Sequence, residues 1–474
     1  MGSPGWGYTL LGCCSRRHQY GADYCDHSPQ PNAMLTGFSL IKRTAAGFVG
    51  IVAFIAIGGL WLAGAHSAYE HLLALWGIVP FRYPFVDVDG SLAAWECARK
   101  GVDVIIADPC DVLQRGYNYS PFWMTLSWIP LDRADRITVG VALGLSFLIS
   151  LWALPPPLSR GEMLLRVSAV LSTMVVFAIE RANPDLLIFI FVVIILELLR
   201  RSTTMRGFAY GLAFLAGAIK YYPFVLLGLA VRERFRFFIA VALGGTVGLV
   251  LFWQVYATQL LEGLPRIAVG VPYGDMFGAK NIPVGLFDMF QTMLTIEAAA
   301  KVSVLTTLTL LAAIVCLMFR LSLNGRVVAA LRGLDEPRRL ALLAGALLLS
   351  GCFVAGQNVA YRGIFLLLVL PGTFALGRAR ISAVAPTSRV IAAAIPCLMW
   401  AEAIRLWIHL AAVGKYPPPG FMSVLDQPVD FIAWCGREIA WWFVIGFLLT
   451  ILLNFAVHRV FAIIAPRHER LAAP

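Results

Sequence analysis

The chain has 474 residues, of which 59% are hydrophobic and 14% are charged, and its mean hydropathy is +0.77. Soluble domains carry about a quarter charged residues, so this composition excludes an ordinary soluble enzyme and is typical of a polytopic membrane protein. The net charge of +11 does not indicate a nucleic-acid partner, because the basic residues are dispersed at the ends of apolar runs, as the positive-inside rule expects.

The N-terminal segment precedes the first apolar run. Residues 1–33 lack the apolar core of a secretory signal, and Met34 precedes a normal lead into a membrane helix, so we interpret Met34 as the true start. Lys42-Arg43 then marks the cytoplasmic side of the membrane. We therefore expect residues 1–44 and the C-terminal tail, 458–474, to be cytoplasmic.

Residues 45–457 are predicted to form a single all-α transmembrane domain. Two short apolar runs, 207–219 and 222–230, form a broken pair, which brings the expected total to about 10–13 membrane helices. The longer candidate spans are 45–62, 137–154, 164–179, 186–199, 237–256, 302–319, 340–356, 364–376, 390–412 and 441–457.

The long polar loop 66–120 follows the first candidate span, so a cytoplasmic Lys42-Arg43 makes this loop extracytoplasmic. Its aromatic residues and turn residues predict a folded, functional loop rather than a disordered one. The apolar run 121–131 that follows is too short to cross a hydrocarbon core of about 30 Å and is interpreted as re-entrant or interfacial. On this topology the polar candidates below share the extracytoplasmic face.

Two aspartates in this loop, Asp87 and Asp89, are the candidate catalytic residues. A carboxylate beside an acceptor hydroxyl can take its proton as the hydroxyl attacks, which is general-base catalysis. Two carboxylates at this spacing can instead share a divalent metal ion, or belong to a solvated acidic loop. Their place directly after the aromatic segment 81–85 favours a catalytic role, and no His/Cys spacing indicates zinc. Either aspartate can be the base.

Cys97 and Cys110 lie in the same loop. An extracytoplasmic loop is in a compartment where a disulfide can persist. The two residues are therefore either a disulfide or two separate thiols.

The segment 180–185 places three ionisable groups and an amide between apolar runs. Charged groups at such a position are costly and often mark a binding site. Glu180, Arg181, Asn183 and Asp185 are therefore candidate substrate-binding residues. The alternative is a polar turn in which Asn183 and the following proline end a helix.

Two later cations are candidates for binding the phosphate of a donor. Lys220 lies in an apolar run, so it needs an anionic partner or a path to the interface. Arg362 opens another apolar run, where a guanidinium can bind two phosphate oxygens or anchor the helix at the interface. Lys280 is a further substrate-binding candidate of the same kind.

Four polar stretches follow one another in the first half of the chain. They are Asp87-Val88-Asp89 with Trp95 and Lys100-Gly101; Tyr117-x-Tyr119-Ser120-Pro121; Glu180-Arg181-x-Asn183-Pro184-Asp185; and Gly211-Leu212-Ala213 leading to Lys220-Tyr221-Tyr222-Pro223. In this order they resemble the GT-C superfamily of membrane glycosyltransferases, and within it the polyprenol-phosphate mannosyltransferase-like family (glycosyltransferase family 87). The resemblance implies a GT-C-like fold with a long first extracytoplasmic loop. It also implies a catalytic aspartate at Asp87 or Asp89, and it adds Tyr119 as a substrate-binding candidate.

The resulting hypothesis is a multi-pass enzyme of the inner or plasma membrane, surrounded by membrane lipids. It transfers a sugar, with mannose the first candidate, from a polyprenyl-phosphate donor to a hydroxyl of a lipid- or glycan-linked acceptor, with inversion. Phosphate is a good leaving group, so cationic stabilisation suffices and no cofactor is required. The alternative is a transporter or lipid flippase without covalent chemistry. Such proteins show interrupted helices at matching positions in two halves, and the sequence displays one interruption, at 220–223.

Overall fold

The computed structural model describes residues 37–464 except 82, 106–107, 115, 118, 267–269, 323–324, 380–383 and 416–426. Met34 and residues 465–474 lie outside the described residues. The α-helices are α1 (Gly37–Leu62), α2 (His66–Leu75), α3 (Val86–Arg99), α4 (Arg136–Ser150), α5 (Arg160–Val170), α6 (Thr173–Arg181), α7 (Asp185–Leu198), α8 (Thr203–Lys220), α9 (Phe235–Gly263), α10 (Asn281–Phe290), α11 (Ile296–Ser322), α12 (Gly325–Arg332), α13 (Glu336–Ala355), α14 (Leu366–Arg378), α15 (Ala385–Met399), α16 (Ala401–Val413) and α17 (Pro428–Ile464).

Short elements join these helices. The 3₁₀ helices are Pro121–Leu126, Arg133–Asp135, Leu151–Ala153, Tyr222–Arg232, Leu264–Arg266 and Ala360–Phe365. Two strands, β1 (Met276–Phe277) and β2 (Asn358–Val359), pair antiparallel, with Met276 opposite Val359. In the described part of the chain the fold is otherwise helical, as the composition predicts.

Seven helical segments are long and apolar enough to cross a membrane, and two bent helix pairs raise that number to nine within the described residues. The chain therefore has the helices of a multi-pass membrane protein, although fewer than the 10–13 expected. One reason is α7, whose 14 residues extend about 21 Å and fall short of a core of about 30 Å. The seven segments are Lys42–Leu62, Arg133–Ala153, Phe235–Gly263, Ile296–Met318, Glu336–Ala355, Ala360–Arg378 and Pro428–Val457.

The two bent pairs, α5–α6 and α15–α16, bend by 43° and 71° and meet close to their breaks. Trp76 donates to the carbonyl of Leu171 at 2.7 Å, and Trp400 donates to that of Ser168 at 2.8 Å. The rings of Trp76 and Trp400 stack at 6.0 Å. These indoles satisfy carbonyls that an interrupted helix leaves unpaired. The break at Trp400 also gives the second half a broken span that the sequence did not reveal.

The loop between α1 and α4 is folded, and it contains α2 and α3. Arg99, at the end of α3, donates to the carbonyls of Ser127, Ile129 and Leu131 at 2.9–3.1 Å. The apolar run after the loop therefore folds back on α3 as the 3₁₀ helix Pro121–Leu126 and turns, and none of the candidate spans lies in it. This arrangement agrees with a re-entrant or interfacial segment.

Candidate functional site

The start of α3 is fixed by a turn at Phe85. Phe85 has a left-handed backbone with φ of 66°, and its N–H donates to the carbonyl of Glu180 at 2.6 Å. The backbone can approach there because Gly140 faces the Phe85 ring, which a Cβ at that position would overlap. The first turn of α3, with Asp87 and Asp89, is therefore held against the junction of α6 and α7.

Asp89 is fully buried and bound to two arginines. Arg133 donates from Nε and Nη2 to its two oxygens at 3.1 and 3.0 Å, and Arg136 lies 3.6 Å away. Tyr83 also donates to Oδ2 at 3.1 Å. Burial and the negative charge of Asp89 raise the pKa of Tyr83, so its hydroxyl stays protonated and remains a donor. With both oxygens engaged, Asp89 holds α3 to the start of α4 and is closed to an acceptor hydroxyl.

Asp87 is half-buried and points to the α6–α7 junction. One of its hydrogen bonds comes from the neutral amide of Asn183, whose Nδ2 lies 2.6 Å from Oδ2. The hydroxyl of Tyr119 lies 3.5 Å from the same Nδ2. Of the two aspartates, Asp87 is thus the one that a substrate can reach, and it is the candidate base.

Asn183 connects Asp87 to the first cation. Helix α6 ends with Ala182 in a left-handed conformation, which turns the Asn183 side chain between α3 and α8. Its Oδ1 accepts from Lys220 Nζ at 2.7 Å and from the backbone N–H of Asp185 at 3.0 Å. The amide orientation is therefore determined on both sides, and one side chain spans from the carboxylate to the ammonium group.

Two cations share one buried carboxylate. Lys220 Nζ lies 2.7 Å from Asp185 Oδ1, and Arg362 Nε lies 3.6 Å from Oδ2. Tyr222 donates to Oδ1 at 2.7 Å. Asp185 begins α7, where the helix dipole also favours a negative charge. Asp87 lies across Asn183, so the four groups Lys220, Arg362, Asp185 and Asp87 sum to zero charge, with both positive charges grouped around Asp185.

Lys220 is placed by the break at the end of α8. Tyr221 has φ of 58°, and Pro223 prevents the helix from continuing. The chain then packs back on α8, because Gly217 leaves room for the Phe224 ring. Lys220 is buried at this end of α8, next to Asn183.

Arg362 is placed by the short sheet. It follows β2 on the 3₁₀ helix Ala360–Phe365, and its Nη1 donates to Oδ1 of Asn358. Its guanidinium carbon lies 5.2 Å from the centre of the Tyr222 ring. Gly278 permits the strand contact, because it has φ of +147° and a Cβ there would overlap the carbonyl oxygen of Gly356.

Two tyrosines line the site around Lys220. Its Nζ lies 5.4 Å from the ring centre of Tyr119 and 5.5 Å from that of Tyr361, within the range of cation–π interaction. Both rings are half-buried. Tyr119 thus lies in the site, as the resemblance implies, and Tyr361 joins it there although it was not a predicted site residue.

Glu180 and Arg181 lie at the edge of this cluster. Arg181 donates to the carbonyl of Val79 at 3.0 Å, and its guanidinium carbon lies 3.9 Å from the centre of the Phe81 ring. The carboxylate of Glu180 lies 3.2 Å from Nε of Arg181. Both residues therefore support the backbone before α3. Lys280 is exposed at the N-cap of α10, and its side chain forms no hydrogen bond or ion pair with a described residue, so it does not take part in the network of the site.

The structure contains the disulfide Cys97–Cys110, with a Cα–Cα distance of 5.9 Å. Asp108 lies close to both sulfurs, and among the described residues these three are the one His/Cys/Asp/Glu group compact enough to hold a metal ion. The disulfide removes both thiolates as ligands. Asp87 and Asp89 do not form a shared metal site either, because Asp89 is bound to arginines.

A second buried ionic network was missed by the sequence reasoning. Arg437 pairs with Glu402 and with Glu438, the latter at 2.7 Å, and Arg405 lies 2.8 Å from Glu402. Arg437 also donates to the carbonyl of Gly274 at 2.7 Å, in the loop before β1. The available signal was the presence of charged residues inside apolar runs, which is costly unless they are paired.

No protein-family model, curated protein or solved structure matches the chain. The functional conclusion therefore depends on the geometry of this site.

Proposed function

We propose that the protein is a membrane glycosyltransferase of the GT-C type. It transfers a sugar from a polyprenyl-phosphate donor to an extracytoplasmic hydroxyl of a lipid- or glycan-linked acceptor, with mannose as the first candidate sugar. The observation that carries the proposal is the position of a half-buried carboxylate, Asp87, next to two cations. Asn183 connects Asp87 to Lys220, and Arg362 joins Lys220 through the shared carboxylate of Asp185.

The proposed reaction is a single displacement. The acceptor oxygen attacks the anomeric carbon of the sugar, and Asp87 takes the proton of that hydroxyl. The bond from the anomeric carbon to the phosphate oxygen breaks, and its electron pair stays on the phosphate. Lys220 and Arg362 stabilise the charge that develops there, so the leaving group needs no general acid. Attack opposite the leaving group inverts the anomeric centre.

Two further observations support this assignment. The two cations share Asp185 on one side of Asn183 and Asp87 lies on the other, so the positive charges are grouped where a phosphate can bind, apart from the base. The disulfide Cys97–Cys110 lies on the element that carries Asp87 and fits an oxidising compartment. We accordingly propose that the site faces the extracytoplasmic side of the cell membrane and that both termini are cytoplasmic.

The test is turnover by purified protein in lipid discs. Polyprenyl-phosphate mannose, glucose or arabinose is supplied, and the release of polyprenyl phosphate is followed. We expect release from at least one donor, a large loss in Asp87→Asn, and full activity in Asp103→Asn, an exposed carboxylate of the same loop. No release from any donor overturns the proposal.

A lipid transporter is the second candidate, because broken spans occur in both halves of the chain. Transport without chemistry predicts that donors stay intact while the lipid phosphate crosses the bilayer. Wild-type protein in liposomes that contain a fluorescent polyprenyl phosphate distinguishes the two functions. Movement of the probe with no cleavage of any sugar donor favours transport.

A further inference from the structure

Asp275 lies beside the proposed phosphate site, although neither the motifs nor the proposed reaction uses it. Its backbone carbonyl accepts from the N–H of Ala360 at 2.6 Å, next to the β1–β2 pair. It is therefore attached directly to the segment that carries Tyr361 and Arg362. Arg437 fixes the same loop from the other side through the carbonyl of Gly274.

The carboxylate of Asp275 is half-buried and has no hydrogen bond or ion pair from any side chain in the part of the chain that the structure describes. Burial and the negative charge of Glu402 raise its pKa, while Arg181 and Arg437 oppose that shift. A carboxylate withdrawn from water gains free energy when it receives hydrogen-bond donors. Apart from the backbone N–H of Asp275 itself, the donors to this carboxylate are thus left to a ligand.

A matching donor lies nearby on Arg181. Its guanidinium is buried, and Nη1 has no hydrogen-bond partner among the described residues, although Nη2 is held by Val79. The segment that carries Tyr361 connects the two residues. The Tyr361 ring lies 5.4 Å from the Phe177 ring, whose centre is 4.9 Å from the Arg181 guanidinium carbon, and the preceding residue, Ala360, donates to the carbonyl of Asp275.

An acceptor and a donor that both adjoin the segment of Tyr361 suit neighbouring hydroxyl groups, each of which donates one hydrogen bond and accepts others. A carbohydrate offers such pairs, whereas the phosphate or the hydrocarbon chain of a lipid does not. The position next to Arg362 favours the sugar that is bonded to the phosphate over the acceptor. We propose that Asp275 and Arg181 form a hydroxyl-binding subsite for the sugar of the lipid-phosphate donor.

This inference rests on the proposed function, and a binding assay separates the two. The affinity of protein in lipid discs is measured for polyprenyl phosphate bearing mannose, glucose or arabinose, and for bare polyprenyl phosphate. We expect wild type to bind at least one sugar lipid more tightly than the bare lipid. Asp275→Asn should weaken the binding of that sugar lipid by about 10-fold, the effect of one hydrogen bond to a charged group, and leave the bare lipid unchanged.

Asp288→Asn is the matched control, because Asp288 is a half-buried carboxylate on the following helix, α10. It should leave both affinities unchanged. Hydrogen exchange of the wild-type segment 270–280 gives a second readout that needs no variant. The sugar lipid should slow exchange in this segment beyond the effect of the bare lipid.

Three results overturn the subsite: equal affinity of wild type for sugar and bare lipids, equal weakening of both by Asp275→Asn, or no weakening of either. If Asp275→Asn does not fold, the absence of sugar-dependent protection of 270–280 overturns it. A wild-type protein that binds the sugar lipid through Asp275 but never releases polyprenyl phosphate upholds the subsite and overturns glycosyl transfer. If Asp275→Asn releases polyprenyl phosphate with the wild-type KM for the donor, glycosyl transfer is upheld and the subsite is overturned.

Discussion

Replacing Asp89 by asparagine should destabilise the protein, whereas the same change at Asp87 should not. Asp89→Asn keeps the shape of the side chain but removes the charge that pairs with Arg133 and Arg136. Removing one partner of a buried ion pair costs about 3–5 kcal/mol, because the other charge stays buried and unpaired. The two arginine side chains remain 29% and 22% exposed, so water compensates part of this cost. We expect a loss of about 2–3 kcal/mol.

Thermal unfolding of both variants in the same detergent or lipid discs measures this difference. Asp89→Asn should lower Tm by several degrees, since about 1 kcal/mol corresponds to a few degrees in a domain of this class. Asp87→Asn should unfold closer to wild type than Asp89→Asn, because Asp87 is half-buried and the side-chain oxygen of an asparagine can still accept the hydrogen bond of Asn183. We assign a structural role to Asp89 and a catalytic role to Asp87. This assignment would be refuted if Asp89→Asn kept the wild-type Tm but lost turnover while Asp87→Asn stayed active.

Three further changes test the supports of the site. Asn183→Leu removes the link between Asp87 and the ammonium group, so kcat for donor cleavage should fall at least about 10-fold; an unchanged kcat contradicts the link. The double change Cys97→Ser/Cys110→Ser opens a loop closed over a separation of 13 residues and should cost about 3 kcal/mol, seen as a lower Tm; an unaltered Tm under oxidising conditions counts against it. Gly278→Ala should displace β1 and raise the donor KM several-fold, since no side chain fits there; a wild-type KM would show that the sheet does not position the site.

The multi-pass helical character could be predicted from the sequence because it depends on the hydropathy of long apolar runs. The predicted topology placed Asp87, Asn183, Lys220 and Arg362 on one face, and in the structure hydrogen bonds and ion pairs connect these four residues through Asn183 and Asp185. Lys280 was placed on that face as well, but its side chain is exposed and takes no part in this network, because loop paths within a face depend on packing that hydropathy does not encode.

The distinction between Asp87 and Asp89 could not be predicted. It depends on Arg133 and Arg136, which reach Asp89 only through the orientation of α4 relative to α3. The break at Trp400 was hidden for a related reason. Pro396 precedes it by four residues, but membrane helices tolerate proline, so the residue alone does not indicate a bend of 71°.

The most direct test of the central claim is the release of polyprenyl phosphate from a sugar donor by wild-type protein and by Asp87→Asn in lipid discs. If Asp87 is the base of a glycosyl transfer, wild type releases the lipid phosphate. The variant is then slower by a factor of about 10²–10⁴ at nearly unchanged Tm. Full release by Asp87→Asn, or none by wild type with any donor, would contradict the account.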